Sequence, residues 1–600
     1  MELPHGRGTD RHRAGSHPVP VDREESGEGP DGRCGQVSEA TGLVADVDLL
    51  IRGGRVVDGT GNSWRYADVL VRGDRIVDVV APGQFRGTAG EVLDAIDHVV
   101  APGFVDMHSH SDLALIAEPG AQQKLRQGVT TEIVGNCGIS VGPITEQFRP
   151  ESRQYATPVL GFGELAWDWS DVDGYLARVS AARPAVNVAT FVGLGSLRCA
   201  VSGFDAGAPS PQQRRAMVDL AAAALRQGAV GLSSGLVYAP GSYSSHEEIC
   251  ELVDEAARAG ALYSSHMRDQ GDGFLDSVAE TLDVGRRTGA AVQIAHHKVV
   301  GGRNWGKVSQ SLAMLREARA EGIDAGSDVY PYLAGSTTMT ALLPDWALAG
   351  GLSAMLPRLA DPAERARIKA DWISGRPQWD NRVASIGWEN IYISHVVTEG
   401  NQELVGLSVA AAAASRSGSA DPGDFLLDLL IAEDGAVSNI QVACSEEDLR
   451  EVMKEPSTCF GSDGLLAGGR PHPRLHGTFP RILGEYVRDA GILTLEDAVR
   501  KMTSQPARRL GLTGIGLVEP GYHADLVIFD PAQVAGPATY DHPTQDPVGI
   551  RDVLVSGRFA VRDGQPTGIR AGRTLRRHQP YLDQRPPALE TQTKEHHEHH

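Results

Sequence analysis

Short apolar segments alternate with amphipathic helical segments through the middle of this 600-residue chain. Ser210-Pro-Gln-Gln-Arg-Arg predicts a helix start, because serine can cap the first turn and proline fits its first position. Further helices are predicted over 245–259 and 307–321, each followed by a glycine. Repeated strand–helix units imply parallel strands with right-handed crossovers, as in a doubly wound sheet or a (β/α)8 barrel. The apolar strands are predicted at 129–135, 186–193, 229–233, 261–265, 292–295 and 323–328.

Polar residues stand at the carboxyl ends of nearly all the predicted strands. In a closed barrel these ends open onto one face, so one site can draw on many strands. This distribution favours an α/β fold with a (β/α)8 TIM-like barrel over an open sheet. The strand-end residues are His108, His110, Asn136, Cys137, Ser233, His266, Arg268, His296, Lys298, Asp328 and Tyr330.

Both ends of the chain carry short alternating strands joined by glycine turns. Examples are Val47-Asp-Leu-Leu-Ile-Arg-Gly-Gly near the start and Ala524-Asp-Leu-Val-Ile-Phe-Asp near the end. Because isolated hairpins are marginally stable, we expect the two ends to combine into one small β-sandwich domain. The predicted layout is a disordered leader at 1–43, a β-domain from 44–103 plus 515–575, a barrel at 104–514 with an insertion around 337–456, and a polar tail at 583–600.

Charge and composition exclude several classes of protein. A formal net charge of -21 argues against nucleic-acid binding, which needs a basic face, and provides no basic patch for a membrane surface. The apolar runs are far shorter than the roughly 20 residues that span a bilayer. The first residues do not resemble a signal peptide, and the 6 cysteines are sparse and irregularly spaced. A cytoplasmic enzyme acting on a small molecule is therefore expected, and the oligomeric state stays open.

A metal site is predicted where the apolar run before Asp106 ends in His108-Ser-His110. Residues two apart on a strand point to the same side, so both histidines can bind one ion. His266 and His296 follow two further strands, which brings four histidines to one mouth and favours metal binding over chance. Alternation points His296 and His297 to opposite sides, and His296 is the predicted ligand.

Two further residues could take part in the chemistry. Asp463, in Cys459-Phe-Gly-Ser-Asp-Gly, could end the eighth strand, where a carboxylate can take a proton from water and return it to a leaving amine. Cys137 has two interpretations: a small buried apolar residue, or a thiolate that joins the histidines as a zinc ligand. The residues alone leave both open.

The assembled motifs resemble the amidohydrolase superfamily and, more closely, the N-acyl-D-amino-acid deacylases. The resemblance runs in order from about residue 46 to 570, and its Gly-Asn-Cys-Gly and Ser-Asp-Gly…His-Pro-Arg elements are specific to that family. The matching stretches include Ala101-Pro-Gly-Phe-Val-Asp-Met-His-Ser-His-Ser-Asp, Val134-Gly-Asn-Cys-Gly, Ser265-His-Met-Arg-Asp, Ala295-His-His-Lys, Asp328-Val-Tyr-Pro-Tyr, Gly461-Ser-Asp-Gly and Pro471-His-Pro-Arg-Leu-His-Gly.

The resemblance implies zinc-dependent hydrolysis of the acyl amide of N-acyl-D-amino acids. It implies one tightly bound zinc on Cys137, His266 and His296, and a second, weaker metal position on His108 and His110. Asp463 matches the catalytic aspartate. The implied substrate-binding residues are Lys298, Tyr330, Ser336 and Arg474. Two alternatives remain: a cyclic-amide hydrolase of the dihydroorotase or hydantoinase kind, and a non-catalytic interaction protein with the same fold.

Overall fold

The computed structural model describes residues 46–416, 421–466 and 469–577. The predicted leader at 1–43 and the polar tail at 583–600 lie outside these described residues. The strands are β1 Asp46–Val56, β2 Arg65–Arg72, β3 Arg75–Val80, β4 Thr88–Asp94, β5 Val99–Pro102, β6 Phe104–Asp106, β7 Val129–Val134, β8 Asn187–Thr190, β9 Val192–Gly193, β10 Gly231–Gly235, β11 Leu262–His266, β12 Ala291–Ile294, β13 Ala325–Val329, β14 Ala334–Thr338, β15 Ile391–His395, β16 Ser438–Val442, β17 Thr458–Phe460, β18 Leu526–Phe529, β19 Ile550–Val555, β20 Arg558–Arg562 and β21 Gln565–Pro566.

Helices fill most of the connections between these strands. They are α1 Ala114–Ala117, α2 Gln122–Leu125, α3 Arg149–Leu160, α4 Val172–Ala182, α5 Leu194–Ser202, α6 Pro211–Arg226, α7 His246–Arg258, α8 Phe274–Thr288, α9 Lys307–Ala320, α10 Leu352–Ala360, α11 Pro362–Ser374, α12 Arg382–Ile386, α13 Val409–Ser415, α14 Pro422–Ala432, α15 Glu446–Lys454, α16 Arg474–Arg481, α17 Leu495–Lys501 and α18 Ser504–Arg509. A π-helical stretch, Ile482–Asp489, continues α16. Among the described residues, no helix has both the length and the apolar character that crossing a bilayer requires.

The helix start predicted at Ser210 is confirmed, and the helices predicted over 245–259 and 307–321 are confirmed to within one residue at each end. Ser210 caps α6 with a reciprocal hydrogen-bond pair: its hydroxyl accepts from the backbone of Gln213, whose side chain accepts from the backbone of Ser210. Ser245 caps α7 with one such bond, because its hydroxyl accepts from the backbone N–H of Glu248. A capped first turn satisfies backbone groups that would otherwise lack partners, so the local sequence fixes where these helices begin.

Strands from the two ends of the chain share one sheet. Its order is β21-β20-β19-β18-β5-β1-β2-β3, and β4 lies off this path, parallel to the first part of β1 from Asp46 to Arg52. The junction between the ends is the antiparallel pair of β5 and β18, in which Val100 lies opposite Ile528. A strand that would be marginal within a lone hairpin is therefore buried between two neighbours.

Two parallel sheets form the centre of the molecule. One has the order β6-β7-β8, and the other β9-β10-β11-β12-β13-β17. A single residue, Phe191, separates β8 from β9. The Asp463 backbone N–H donates to the His108 carbonyl at 2.7 Å, and Ser109 bridges Gly464, so the chain after β17 meets the chain after β6. Parallel pairing brings the carboxyl ends of all these strands to the same side.

The insertion forms a small unit with its own core. An antiparallel sheet, β14-β16-β15, packs with α10–α14 around buried residues such as Leu342, Trp372 and Phe425. This unit starts at Ala334, three residues before the predicted 337. The last predicted part, α15, instead buries Leu449 with the central core. The insertion was predicted around 337–456 from the length of this stretch, and length alone does not indicate which core its last helix joins.

Candidate active site

Six side chains meet at the carboxyl ends of five parallel strands. His108 and His110 follow β6, and the others follow or end β7, β11, β12 and β17. All six are at most 7% exposed. We call this group the strand-end cluster; its members are His108, His110, Cys137, His266, His296 and Asp463.

Three members of the cluster have left-handed backbone conformations. The φ angles are 54° at Cys137, 34° at His296 and 50° at Asp463. Residues other than glycine rarely adopt this region, because Cβ approaches the carbonyl oxygen. Such conformations persist where the surroundings enforce them, often at functional sites. Here each one turns the chain immediately after a strand and places a side chain in the cluster.

The donor atoms of the cluster face one another. His108 Nε2 lies 3.2 Å from Cys137 Sγ, and Cys137 Sγ lies 3.6 Å from His296 Nε2. His296 Nε2 in turn lies 2.9 Å from His266 Nδ1. Within two groups all donor atoms are within 4.8 Å of one another: His108 with Cys137 and His296, and His108 with His110 and Asp463. His266 belongs to neither compact group and meets the cluster through His296 and Cys137.

These residues fit a divalent metal. Thiolate and imidazole donors together are the set that zinc prefers. His110 Nδ1 and His266 Nε2 are buried and have no hydrogen-bond partner within the described part of the chain. Buried polar atoms are normally paired. The ring nitrogens that face the cluster are His110 Nε2 and His266 Nδ1, and imidazole, thiol and carboxylate donors packed this closely suit a shared cation.

Charges within the cluster hold its acidic groups ionised. Burial alone would raise the pKa of Asp463. The charges of Arg474 and His108 outweigh burial and hold this pKa well below its usual range. Burial likewise opposes ionisation of Cys137, yet the charge of His108 and hydrogen bonds from its imidazole neighbours hold the pKa of that thiol well below normal. The cluster thus presents a thiolate and a carboxylate against imidazoles.

Supporting residues that the sequence did not assign surround the cluster. Asp328 Oδ1 lies 3.2 Å from His108 Nδ1 and accepts the His296 backbone N–H at 2.7 Å. Asp328 was predicted to stand at a strand end and belongs to one of the matching stretches, but no role was assigned to it. The Gln270 side-chain amide approaches His296 Nδ1 at 3.0 Å, and Arg382 from the insertion donates to Gln270 Oε1 at 2.8 Å. Gln270 and Arg382 lie outside any motif, so no sequence signal pointed to them.

The four predicted substrate-binding residues lie beside Asp463. Arg474 is fully buried, its Nη1 is 2.8 Å from Asp463 Oδ2, and it donates to the Ser336 carbonyl at 3.2 Å. Lys298 donates to the Tyr330 hydroxyl, and burial lowers the pKa of Lys298 to about 8. Lys298 and Ser336 line the cavity next to the cluster, whereas Tyr330 and Arg474 stand behind it.

His296, and not His297, faces the cluster. The His297 imidazole instead meets the Ser311 hydroxyl of α9 at 2.8 Å. Burial lowers the pKa of His297 to about 4, so this ring is a neutral core residue. Strand alternation explains the difference, since neighbouring residues leave a strand in opposite directions.

Comparison with known proteins places this arrangement in a family. The model of the amidohydrolase family matches residues 91–561. N-acyl-D-glutamate deacylase of Alcaligenes xylosoxydans xylosoxydans is 38% identical over 537 residues, which are 88% of this chain and 97% of that protein. D-aminoacylase of the same organism is 36% identical over 88% of this chain and 98% of its own length.

Solved structures agree with the sequence relatives. The crystal structure of N-acyl-D-glutamate deacylase from Bordetella bronchiseptica, complexed with zinc and a phosphonate inhibitor, superposes with a TM-score of 0.75 at 36% identity and covers 88% of this chain and 100% of that one. Dihydropyrimidinase from Brevibacillus agri, at 15% identity and a TM-score of 0.51, covers 88% of this chain and 99% of its own and shares the fold alone. The chain belongs to the amidohydrolase family, as its sequence motifs predicted.

Proposed function

We propose that this chain is a zinc-dependent hydrolase that cleaves the acyl amide bond of N-acyl-D-amino acids and releases a carboxylate and a D-amino acid. The observation that carries the proposal is the ionised Asp463 between Arg474 and a cluster of thiolate and imidazole donors. The named relatives, deacylases of N-acyl-D-amino acids, supply the substrate class and its chirality. Retention of both the acid–base residue and the donor set argues against a non-catalytic protein.

We assign the tightly held zinc to Cys137, His266 and His296, and a second, weaker metal position to His108 and His110. The support for the first set is that His296 Nε2 lies 3.6 Å from Cys137 Sγ and 2.9 Å from His266 Nδ1. The support for the second is that the buried His108 and His110 rings lie 5.4 Å apart. Zinc supplies Lewis acidity at such a site, because it polarises an amide carbonyl and acidifies water. Asp328 would hold the His108 ring in place through Nδ1, which leaves Nε2 directed at the cluster.

Asp463 carries the proton in this scheme. Its carboxylate, ionised because Arg474 lowers its pKa, accepts a proton from the attacking water as the water oxygen bonds to the amide carbon. The carbon–nitrogen bond then breaks, and Asp463 returns the same proton to the departing nitrogen. The His110 Nε2, 3.1 Å from Asp463 Oδ1, fixes the carboxylate orientation throughout.

Substrate binding is assigned to the residues on the other side of Asp463. The Lys298 ammonium and the Ser336 hydroxyl line the cavity and suit the α-carboxylate of the substrate. Tyr330 holds Lys298 through its hydroxyl, and Arg474 stacks over the Tyr330 ring at 4.7 Å. A small molecule with one carboxylate beside an amide fits this arrangement.

We also propose a closed barrel as the frame for this site. The two parallel sheets contain eight strands when β8 and β9, interrupted only at Phe191, are counted as one. These strands, joined across Ser109 and Gly464, support a (β/α)8 barrel over residues 104–514. The shared terminal sheet supports a β-sandwich domain from 44–103 plus 515–575. The insertion would then wall the mouth of the barrel, where Arg382 reaches Gln270.

A substrate panel tests the proposed function. The zinc-loaded chain is offered N-acetyl-D-amino acids, their L-isomers and hydantoins, and the release of amine or ring-opened product is measured. We expect hydrolysis of the D-amides, with the L-isomers and hydantoins slower by orders of magnitude. Faster opening of hydantoins would instead favour a cyclic-amide hydrolase, and no turnover across the panel would refute the proposal.

A further inference from the structure

Two adjacent cavities, which share part of their lining, lie next to the strand-end cluster. The inner cavity, lined by Cys137, Lys298 and Ser336, measures about 50 Å³, while the outer cavity measures about 1020 Å³. The same measure gives roughly 10–15 Å³ for one water molecule, so the inner cavity has room for only a few waters. A complete N-acyl amino acid must therefore extend into the outer cavity. The residues that line both are Ile139, Val159, Val237, Tyr238 and Ala341.

The direction of the outer cavity decides which part of the substrate enters it. It is lined by none of the residues assigned to the substrate carboxylate, namely Lys298, Tyr330, Ser336 and Arg474. It opens instead past Tyr238, whose ring packs edge-on against His266 at 5.2 Å. In an N-acyl amino acid the carboxylate lies on the nitrogen side of the amide, and the acyl chain lies on the carbonyl side. The side chain shares Cα with the carboxylate and so stays on the nitrogen side of the amide. A substrate held by its carboxylate at Lys298 therefore has its acyl chain as the part farthest from Lys298, and the outer cavity lies away from Lys298.

The wall of the outer cavity is largely apolar. It is formed by α3 and the chain after α5 on one side and by the insertion on the other. Its charged residues Glu118, Glu164 and Asp434 are exposed to solvent, and the Arg153 guanidinium donates to the Gly163 and Leu165 carbonyls. These acidic residues at the opening would repel an acyl chain that carries a negative charge, whereas they would not repel an apolar acyl chain. The apolar lining includes Val159, Phe162, Phe204, Leu348, Leu352 and Met355.

We propose that the outer cavity is an acyl-chain site, and that this hydrolase prefers N-acyl-D-amino acids whose acyl group is an extended apolar chain over N-acetyl derivatives. This inference rests on the proposed function and adds the class of acyl group. The volume lies at the upper end of the roughly 300–1,000 Å³ that small-molecule sites occupy. A two-carbon acetyl group would leave almost all of the apolar wall in contact with water.

An acyl-length series on the zinc-loaded full chain tests this site. N-acetyl, N-butanoyl and N-octanoyl derivatives of one D-amino acid are compared by kcat/KM. Because each fully buried methylene is worth about fourfold in binding, we expect the octanoyl derivative to exceed the acetyl one by on the order of tenfold or more. A flat or falling series with measurable acetyl hydrolysis overturns the acyl-chain site alone. No hydrolysis of any derivative overturns the proposed function as well.

A pair of variants on one helix locates the chain within the cavity. Leu352→Gln places an amide on the wall of the outer cavity, whereas Leu356→Gln, also on α10 and packed against the core of the insertion, lines neither cavity. We expect the ratio of octanoyl to acetyl kcat/KM to fall several-fold in Leu352→Gln and to stay at its original value in Leu356→Gln. An unchanged ratio in both variants would contradict the assignment.

Discussion

The strand-end cluster and the outer cavity are built in opposite ways. The cluster takes six buried polar side chains from the ends of parallel strands, and each is held by an ion pair or hydrogen bond such as the Arg474–Asp463 contact of 2.8 Å. The outer cavity takes apolar side chains from a crossover helix, α3, and from the insertion. Rigid strand ends position reacting groups, while variable connections shape selectivity. Within one active site, the strand ends thus supply the reacting groups and the connections determine which substrates bind.

One hydrogen-bonded path joins the insertion to the strand-end cluster. Asp380 pairs with Arg382 at 2.6 Å, Arg382 donates to Gln270, and Gln270 approaches His296. Both Asp380 and Arg382 belong to the insertion. The insertion therefore lines the outer cavity and also helps to hold the His296 ring of the cluster. A change in the insertion can thus affect the reacting groups as well as substrate selectivity.

The largest expected effect follows from Asp463→Ala, which removes the proton carrier from the cluster. General acid–base catalysis contributes about 10²–10⁴-fold, so we expect kcat to fall by about 10³-fold while tightly bound zinc is retained. Steady-state kinetics and metal analysis on the same preparation measure both. Asp489→Ala is the control, since Asp489 pairs with the neighbouring Arg488 away from the cluster. Near-normal turnover in Asp463→Ala would remove this residue from the chemistry.

An intermediate effect is expected from Asp328→Asn, which keeps the shape of the side chain but removes its charge. Asp328 accepts from His296 and faces His108 Nδ1, and partners of ligating histidines are typically worth about 10–100-fold in metal affinity. Competition with a chelator measures the zinc affinity. Asp324→Asn serves as the matched control because Asp324 is exposed and pairs with Arg509. Equal affinities in the two variants would mean that Asp328 supports the fold alone.

The smallest effect is expected at the boundary between the two regions. Tyr238→Phe removes a hydroxyl that lies 2.8 Å from Thr337 Oγ1 and keeps the ring against His266. A single hydrogen bond contributes about 1 kcal/mol, so we expect the free energy of unfolding in urea to fall by about that amount, with kcat reduced less than about fivefold. A loss of kcat as large as that of Asp463→Ala would place the Tyr238 hydroxyl in the reaction.

The sequence predicted the elements whose signals are local. Ser210 and the following proline located α6, and strand alternation selected His296 over His297. The clustering of polar residues at strand ends pointed to the cluster, because parallel pairing places such ends together. These predictions needed only local patterns and the general rule for parallel strands, and no knowledge of specific contacts between distant segments.

The remaining features depend on contacts between distant parts of the chain. Gln270 and Arg382 are 112 residues apart, and nothing in either loop marks the hydrogen bond between them. The outer cavity joins Phe162 with Leu352, whose segments carry no shared pattern. The burial of Arg474 was equally hidden, because an isolated arginine in sequence resembles a solvated surface cation.

Zinc titration of the metal-free protein tests the central claim most directly. Zinc is removed with a chelator and restored stepwise, and hydrolysis of an N-acetyl-D-amino acid is followed beside bound metal, with Cys137→Ala and His108→Ala treated in parallel. We expect the first equivalent of zinc to restore activity, Cys137→Ala to lose tight zinc binding, and His108→Ala to keep the tight zinc but to be less active. Full activity of the metal-free chain, or loss of all zinc from His108→Ala, would contradict the central claim.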